Sequence, residues 1–380
     1  MRGTAAPGAA ARAEWPLDPD VAYLNHGGYG VTPNAVLEAQ VRWRRRIEAN
    51  PMQFMTRELP GAWRAAAAAL AAQLGARGED VVFAANATEG CNAVLRSLRF
   101  GGGDEILVTD LAYGAVAKAV RYVARRSGAT VVEAKIPLPL TDSAAITAAV
   151  AARLGRRTRL VVIDHIASAS ALVLPVAELA RLAHAAGARV LIDGAHAPGQ
   201  IPLDVAATGA DWYVGNCHKW LMAPRGCGFL WAPAALQAEL HPLAISHGYG
   251  AGFLAEFDWT GTRDPTPFLC VPDGIACHAR FGGAALMARN HALALDGARL
   301  LAARWGTQLG GPAEAFAAMV TVRLPVKETT QEAGIALQHR LADRHRIEAA
   351  VVAQAGGLWV RVAAQAYNER SDYERLAAVF

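Results

Sequence analysis

From Val81 to Trp231 the chain alternates short apolar runs with amphipathic ones, and this alternation limits the fold more than any other feature. Apolar runs at 81–84, 105–109, 129–133, 159–164, 188–192, 211–214 and 227–231 have strand length, with helical patterns near 89–99, 114–127, 142–154 and 176–186 between the early ones. In Leu160-Val161-Val162-Ile163 and Val190-Leu191-Ile192 the hydrophobicity is continuous, which marks strands covered on both faces. The pattern predicts an α/β fold, a doubly wound, mostly parallel sheet of seven strands. After a Pro/Gly-rich passage and helical runs near 273–305, strands at 316–324, 346–353 and 357–363 with helices near 329–343 and 371–379 predict a smaller C-terminal α+β domain. The expected division is a mobile tail over 1–18, a large domain over 19–300 and a small domain over 301–380.

Ligands of such sheets bind beyond the carboxyl ends of the strands, so the residues that follow each strand carry the functional reading. After 81–84 come Asn86-Ala87-Thr88, where a hydroxyl and free N–H groups at a helix start suit a phosphate. Asp110 and Tyr113 follow the second strand, His165 and Ser168 the fourth, Asp193 and His196 the fifth, and Asn216, His218 and Lys219 the sixth. Each alone is also what an ordinary helix cap, interior histidine or surface lysine would show. Together they describe one site. A lysine at the end of a buried strand can serve as a Schiff-base amine. An aspartate one strand earlier supplies the anion that keeps a pyridine nitrogen protonated, so the pair fits pyridoxal phosphate. Gly101-Gly102-Gly103 precedes its strand and reads as a turn, not a dinucleotide loop.

Composition narrows the classes. The chain has 380 residues, 53% of them hydrophobic, and can bury a large core. It contains no run of about 18 strongly apolar residues, so no membrane span is expected. The N-terminus lacks the apolar block of a secretory signal. A net charge of +4 is mild, and the basic cluster Arg42, Arg44, Arg45 and Arg46 reads as a solvated or subunit-facing helix side, with no nucleic acid as partner. Five scattered cysteines form no close metal-type pair and suit reduced thiols in a cytoplasmic protein, so no metal is expected.

At Asp193-Gly194-Ala195-His196-Ala197-Pro198-Gly199-Gln200, with Asn216-Cys217-His218-Lys219-Trp220, the sequence resembles the class V aminotransferases of pyridoxal phosphate fold type I. Within them it is most similar to the isopenicillin N epimerase group. The likeness spans roughly residues 20 to 380 and includes Leu24-Asn25-His26-Gly27, Gly261-Thr262-Arg263-Asp264 and Trp359-Val360-Arg361. It implies that Lys219 binds the cofactor covalently, that Asp193 partners the ring nitrogen and that His196 neighbours the phenolic oxygen. Ala87, Thr88 and His218 would hold the phosphate, with Ser168 also on the cofactor. Arg361 would take the substrate carboxylate, with Asn25 and His26 nearby. A homodimer is implied, in which Thr262 and Arg263 reach the neighbouring subunit's site. Relatives often place a histidine where this chain has Leu111, which makes Tyr113 the candidate aromatic or acid at the ring.

The expected enzyme acts at Cα of an amino-acid substrate, with Lys219 moving the proton. Epimerisation leads, followed by C–S lysis or transamination, and a non-catalytic cofactor-binding module is the alternative of another class. Cysteine desulfuration through an enzyme thiol is disfavoured, since no cysteine follows Cys277 and Cys217 reads as a packed small residue.

Overall fold

The computed structural model describes residues 7–380. Seven strands form the central sheet: β1 (Val81–Ala84), β2 (Glu105–Thr109), β3 (Thr130–Ala134), β4 (Thr158–Asp164), β5 (Arg189–Gly194), β6 (Trp212–Asn216) and β7 (Gly228–Trp231). Their order is β1-β7-β6-β5-β4-β2-β3. All neighbours are parallel except β7, which runs antiparallel to both β6 and β1. The continuous apolar runs of β4 and β5 sit between two layers of helices, and Leu160, Val161, Val190 and Leu191 are all buried. Helix Ala87–Ser97 starts where Asn86 Oδ1 accepts the Glu89 N–H at 2.9 Å. Helix Gly114–Ser127 stops at Gly128, whose φ of 77° is left-handed.

A second sheet is built from β8 (Met319–Arg323), β9 (Ala350–Gln354) and β10 (Gly357–Ala363), antiparallel in the order β9-β10-β8. Helix Ala284–Trp305 packs against β8 and against helix Arg370–Ala377. A division at residue 300 therefore falls inside a helix whose neighbours belong to the C-terminal unit.

Of the tail expected over 1–18, residues 1–6 lie outside the described residues, while within 7–18 Gly8, Ala11 and Trp15 are buried. Trp15 is buried against Phe281 and Tyr367, with ring centroids 4.9 and 5.2 Å away. The Trp15 indole N–H donates to Val31 O at 3.2 Å, and Arg280 pairs with Glu14 at 2.7 Å. An alanine-rich segment with one tryptophan is thus held by partners some 265 and more positions away in sequence. Ala22–Tyr23 pairs in parallel with Ile347–Glu348, which ties the N-terminal arm to the small domain.

Candidate functional site

A cavity of about 420 Å³ opens at the carboxyl ends of β1, β4, β5 and β6. Lys219 stands on the turn between β6 and β7, and the N-terminal arm braces that turn. His26 Nε2 lies 3.0 Å from Lys219 O, while its Nδ1 lies 2.9 Å from the Tyr367 hydroxyl. Burial lowers the His26 pKa to about 4, so the ring is neutral, donating from Nε2 and accepting at Nδ1. Gly30 (φ 67°) completes the support: a Cβ there would come within 1.9 Å of His218 O, so only glycine lets the arm lie against the turn.

Lys219 Nζ is 3.0 Å from His196 Nε2. Burial, then the Arg361 charge, lowers the lysine pKa to about 8, against the opposing pull of Asp193 and Asp164. Burial holds His196 neutral, well below the usual histidine range, so Nε2 accepts from the ammonium. Its Nδ1 is buried and has no partner. That nitrogen lies on the Gly27 side of the ring, where a Cβ would come within 3.5 Å of it.

Asp193 lies on the cavity floor, where Oδ1 accepts the Ala195 N–H at 3.0 Å. Burial raises its pKa while Lys219 opposes the rise, so the anion wants a further cationic partner of the kind a protonated ring nitrogen provides. Asp164, which the sequence reading passed over, lines the same floor and is its register partner across β4 and β5. His165 is the interior histidine, its Nδ1 2.8 Å from the Tyr213 hydroxyl.

At the other end, Thr88 and His218 line the cavity together with Asn86 and Ala87. The Ala87 N–H donates to Asn216 Oδ1 at 2.9 Å and the Glu89 N–H to Asn86, which leaves Thr88 as the first-turn residue toward the cavity. His218 gives its Nδ1–H to Cys227 O at 2.8 Å, and burial lowers its pKa to about 4. Its neutral Nε2 is an acceptor, so a phosphate can be held there through a shared proton.

The remaining predicted residues divide. Tyr113 and Ser168 line the cavity, and Tyr113 is 45% exposed over it. Leu111 is buried in the core instead. Arg361 is buried behind Ser168: Nη2 donates to Asn25 Oδ1 at 2.8 Å, Nη1 to Ser168, and Nε is unpaired. His26 supports the lysine from below and does not line the cavity. Thr262 and Arg263 lie elsewhere on the same chain, where the Arg263 guanidinium sits over Trp63 and Phe268, 5.3 and 5.1 Å from the ring centroids. Arg225 and Tyr29, both exposed at the mouth, had no pattern in the sequence to announce them.

A half-buried amine facing a buried acid across a strand-end cavity, on a seven-stranded mixed sheet, defines an enzyme that uses pyridoxal phosphate. The class V aminotransferase profile ("Aminotransferase class-V") matches residues 22–335, and the chain belongs to that family. It is 38% identical to the isopenicillin N epimerase of Streptomyces clavuligerus, over 97% of this chain and 96% of that protein. To the putative L-cysteine desulfhydrase 1 of Oryza sativa subsp. japonica it is 36% identical, over 94% of this chain and 82% of that protein. Among solved structures, the cystine C–S lyase C-DES superposes with a TM-score of 0.82 at 23% identity, covering 95% of this chain and 97% of that one, a likeness of fold.

Proposed function

We propose that this enzyme removes the Cα proton of an L-amino acid and returns it as an epimerase, with Lys219 as the base. The observation that carries the reading is the lysine amine inside the cavity, with its pKa lowered to about 8 beside the neutral His196. An amine so placed can release and take up a proton near neutral pH. Pyridoxal phosphate, when bound, supplies an aldehyde for the substrate amine and a ring that accepts the electron pair left at Cα.

The chain's own groups then have separate tasks. Asp193 would hold the negative charge opposite the ring nitrogen, and His196 would neighbour the phenolic oxygen. Thr88 and His218 would hold the phosphate, Ala87 orients that turn through Asn216, and Ser168 would lie on the cofactor side. Arg361, fixed by Asn25 and Ser168, meets the substrate carboxylate; a planar guanidinium suits a two-oxygen contact. Tyr113, 45% exposed, lies over the cavity.

A second reading is β-elimination of sulfide from cysteine, supported by the desulfhydrase relatives. All five cysteines are buried and none lines the cavity, which favours sulfide release over a persulfide on the enzyme. We also infer a cytoplasmic homodimer. Unpaired cysteines support the compartment. The dimer is supported by the exposed apolar residues Leu243, Ile245 and Tyr249 and by Thr262 and Arg263 lying away from their own cavity. Among the described residues no helix is long and apolar enough to cross a membrane.

The test is incubation of the holoenzyme with L-amino acids, L-cysteine included, in deuterated water. Deuterium at Cα with appearance of the D-isomer is the expected result. Sulfide and pyruvate from cysteine would establish the lyase, and no exchange with any substrate would refute both.

A further inference from the structure

Asp164 is only 4% exposed, yet it lines the cavity beside Asp193. The two are Cα partners in neighbouring parallel strands, a pairing that sets the backbones about 4.8 Å apart and turns both side chains to one face. Two carboxylates at that separation in a dry pocket cannot both stay ionised, because mutual repulsion adds to the loss of hydration. Lys219 acts on both acids, so one cation serves two potential anions. The neighbouring Cys91, from helix Ala87–Ser97, and Tyr213, from β6, add no positive charge: both are pushed up by burial first, then by Asp193, and Cys91 by Asp164 as well.

The two acids have different neighbours. Asp193 accepts the Ala195 N–H. Asp164 shares the cavity lining with Tyr113, the residue that precedes helix Gly114–Ser127.

We propose that Asp164 is a positioning residue that holds a proton, acting through its strand partner and leaving Asp193 the only anion on the floor. Burial first, then the Asp193 charge, drives the Asp164 carboxyl well above the usual range. The proton thus sits on Asp164, and the charge on the acid that faces the ring nitrogen. The proposal rests on that role of Asp193, and it holds for either fate of Cα.

The test is infrared spectroscopy of the holoenzyme at neutral pH, with carbon-13 aspartate to identify the band. A protonated-carboxyl C=O stretch is expected in the wild type and absent from Asp164→Asn. Loss of that band from the wild type, or its persistence in Asp164→Asn, overturns the proposal; the wild-type spectrum decides even if the variant fails to fold. Asp164→Asn should also keep the pH midpoint of the bound cofactor's absorbance, since asparagine mimics the neutral acid, and a shift of more than about one pH unit refutes it. Failure of the Asp193 role shows separately, as a cofactor spectrum that Asp193→Asn leaves unchanged.

Discussion

Replacing Lys219 with methionine should make the cofactor-free protein more stable at neutral pH, although it removes the central reactive group. The lysine pKa falls from 10.5 to about 8 on folding, which corresponds to a penalty of about 3 kcal/mol at 1.36 kcal/mol per tenfold. The side chain is only partly shielded from solvent, and screening reduces the figure to about 2 kcal/mol. His196 loses its partner in the variant, a cost of about 1 kcal/mol, so the net gain at pH 7 is about 1 kcal/mol. The sign follows from proton binding. Below pH 8 both folded and unfolded chains hold the proton and the penalty is complete. Between 8 and 10.5 only the unfolded chain holds it, so wild-type stability rises relative to the variant with increasing pH. Urea unfolding of both cofactor-free proteins, followed by tryptophan fluorescence at pH 7 and pH 10, reads the difference. The advantage of methionine should vanish or reverse by pH 10. A variant less stable than wild type at pH 7, or a gap unchanged between the two pH values, would refute the reasoning.

Borohydride reduction of the holoenzyme should label Lys219 alone, as read by peptide mapping; a label on another lysine removes the site's centre. Arg361→Lys should raise KM about 10- to 100-fold with kcat largely kept, since one charge-assisted hydrogen bond of about 1.5–3 kcal/mol is lost; a fall in kcat at constant KM contradicts the assigned contact. Cys217→Ser should leave any sulfide release intact, because Cys217 is fully buried; abolished release with continued Cα exchange would make it the sulfur acceptor. Gly30→Ala should weaken cofactor binding at least about tenfold by equilibrium dialysis, since the new methyl group collides with His218 O at a left-handed φ; unchanged affinity would show that the arm does not hold the lysine turn.

The seven sheet strands were legible to within about two residues because their hydrophobicity is continuous and their boundaries carry polar turns. Strand ends also announced Lys219, Asp193, His196, His218, Thr88, Tyr113 and Ser168, which meet in one cavity. Asp164 was hidden by its neighbour. The strand ends Ile163-Asp164-His165, and a histidine draws the eye, yet the alternation of side chains sends His165 toward Tyr213 and Asp164 into the cavity. The motif holding His26 was visible, but its task was not, since its partners Lys219 and Tyr367 are 193 and 341 positions away. Trp15 was lost in an alanine-rich stretch for the same reason: its packing partners lie near the other end of the chain.

The contact of His26 with Tyr367 and Lys219 also sets an order of manufacture. A ribosome makes the arm before the reactive lysine, and the tyrosine that anchors the arm's histidine later still. The strand pair 22–23 with 347–348 and the Gly8 N–H to Ala366 O bond impose the same delay. During synthesis the lysine turn has a sheet beneath it but no arm against it. The nascent chain therefore carries an incompletely braced amine until Tyr367 has emerged and met His26.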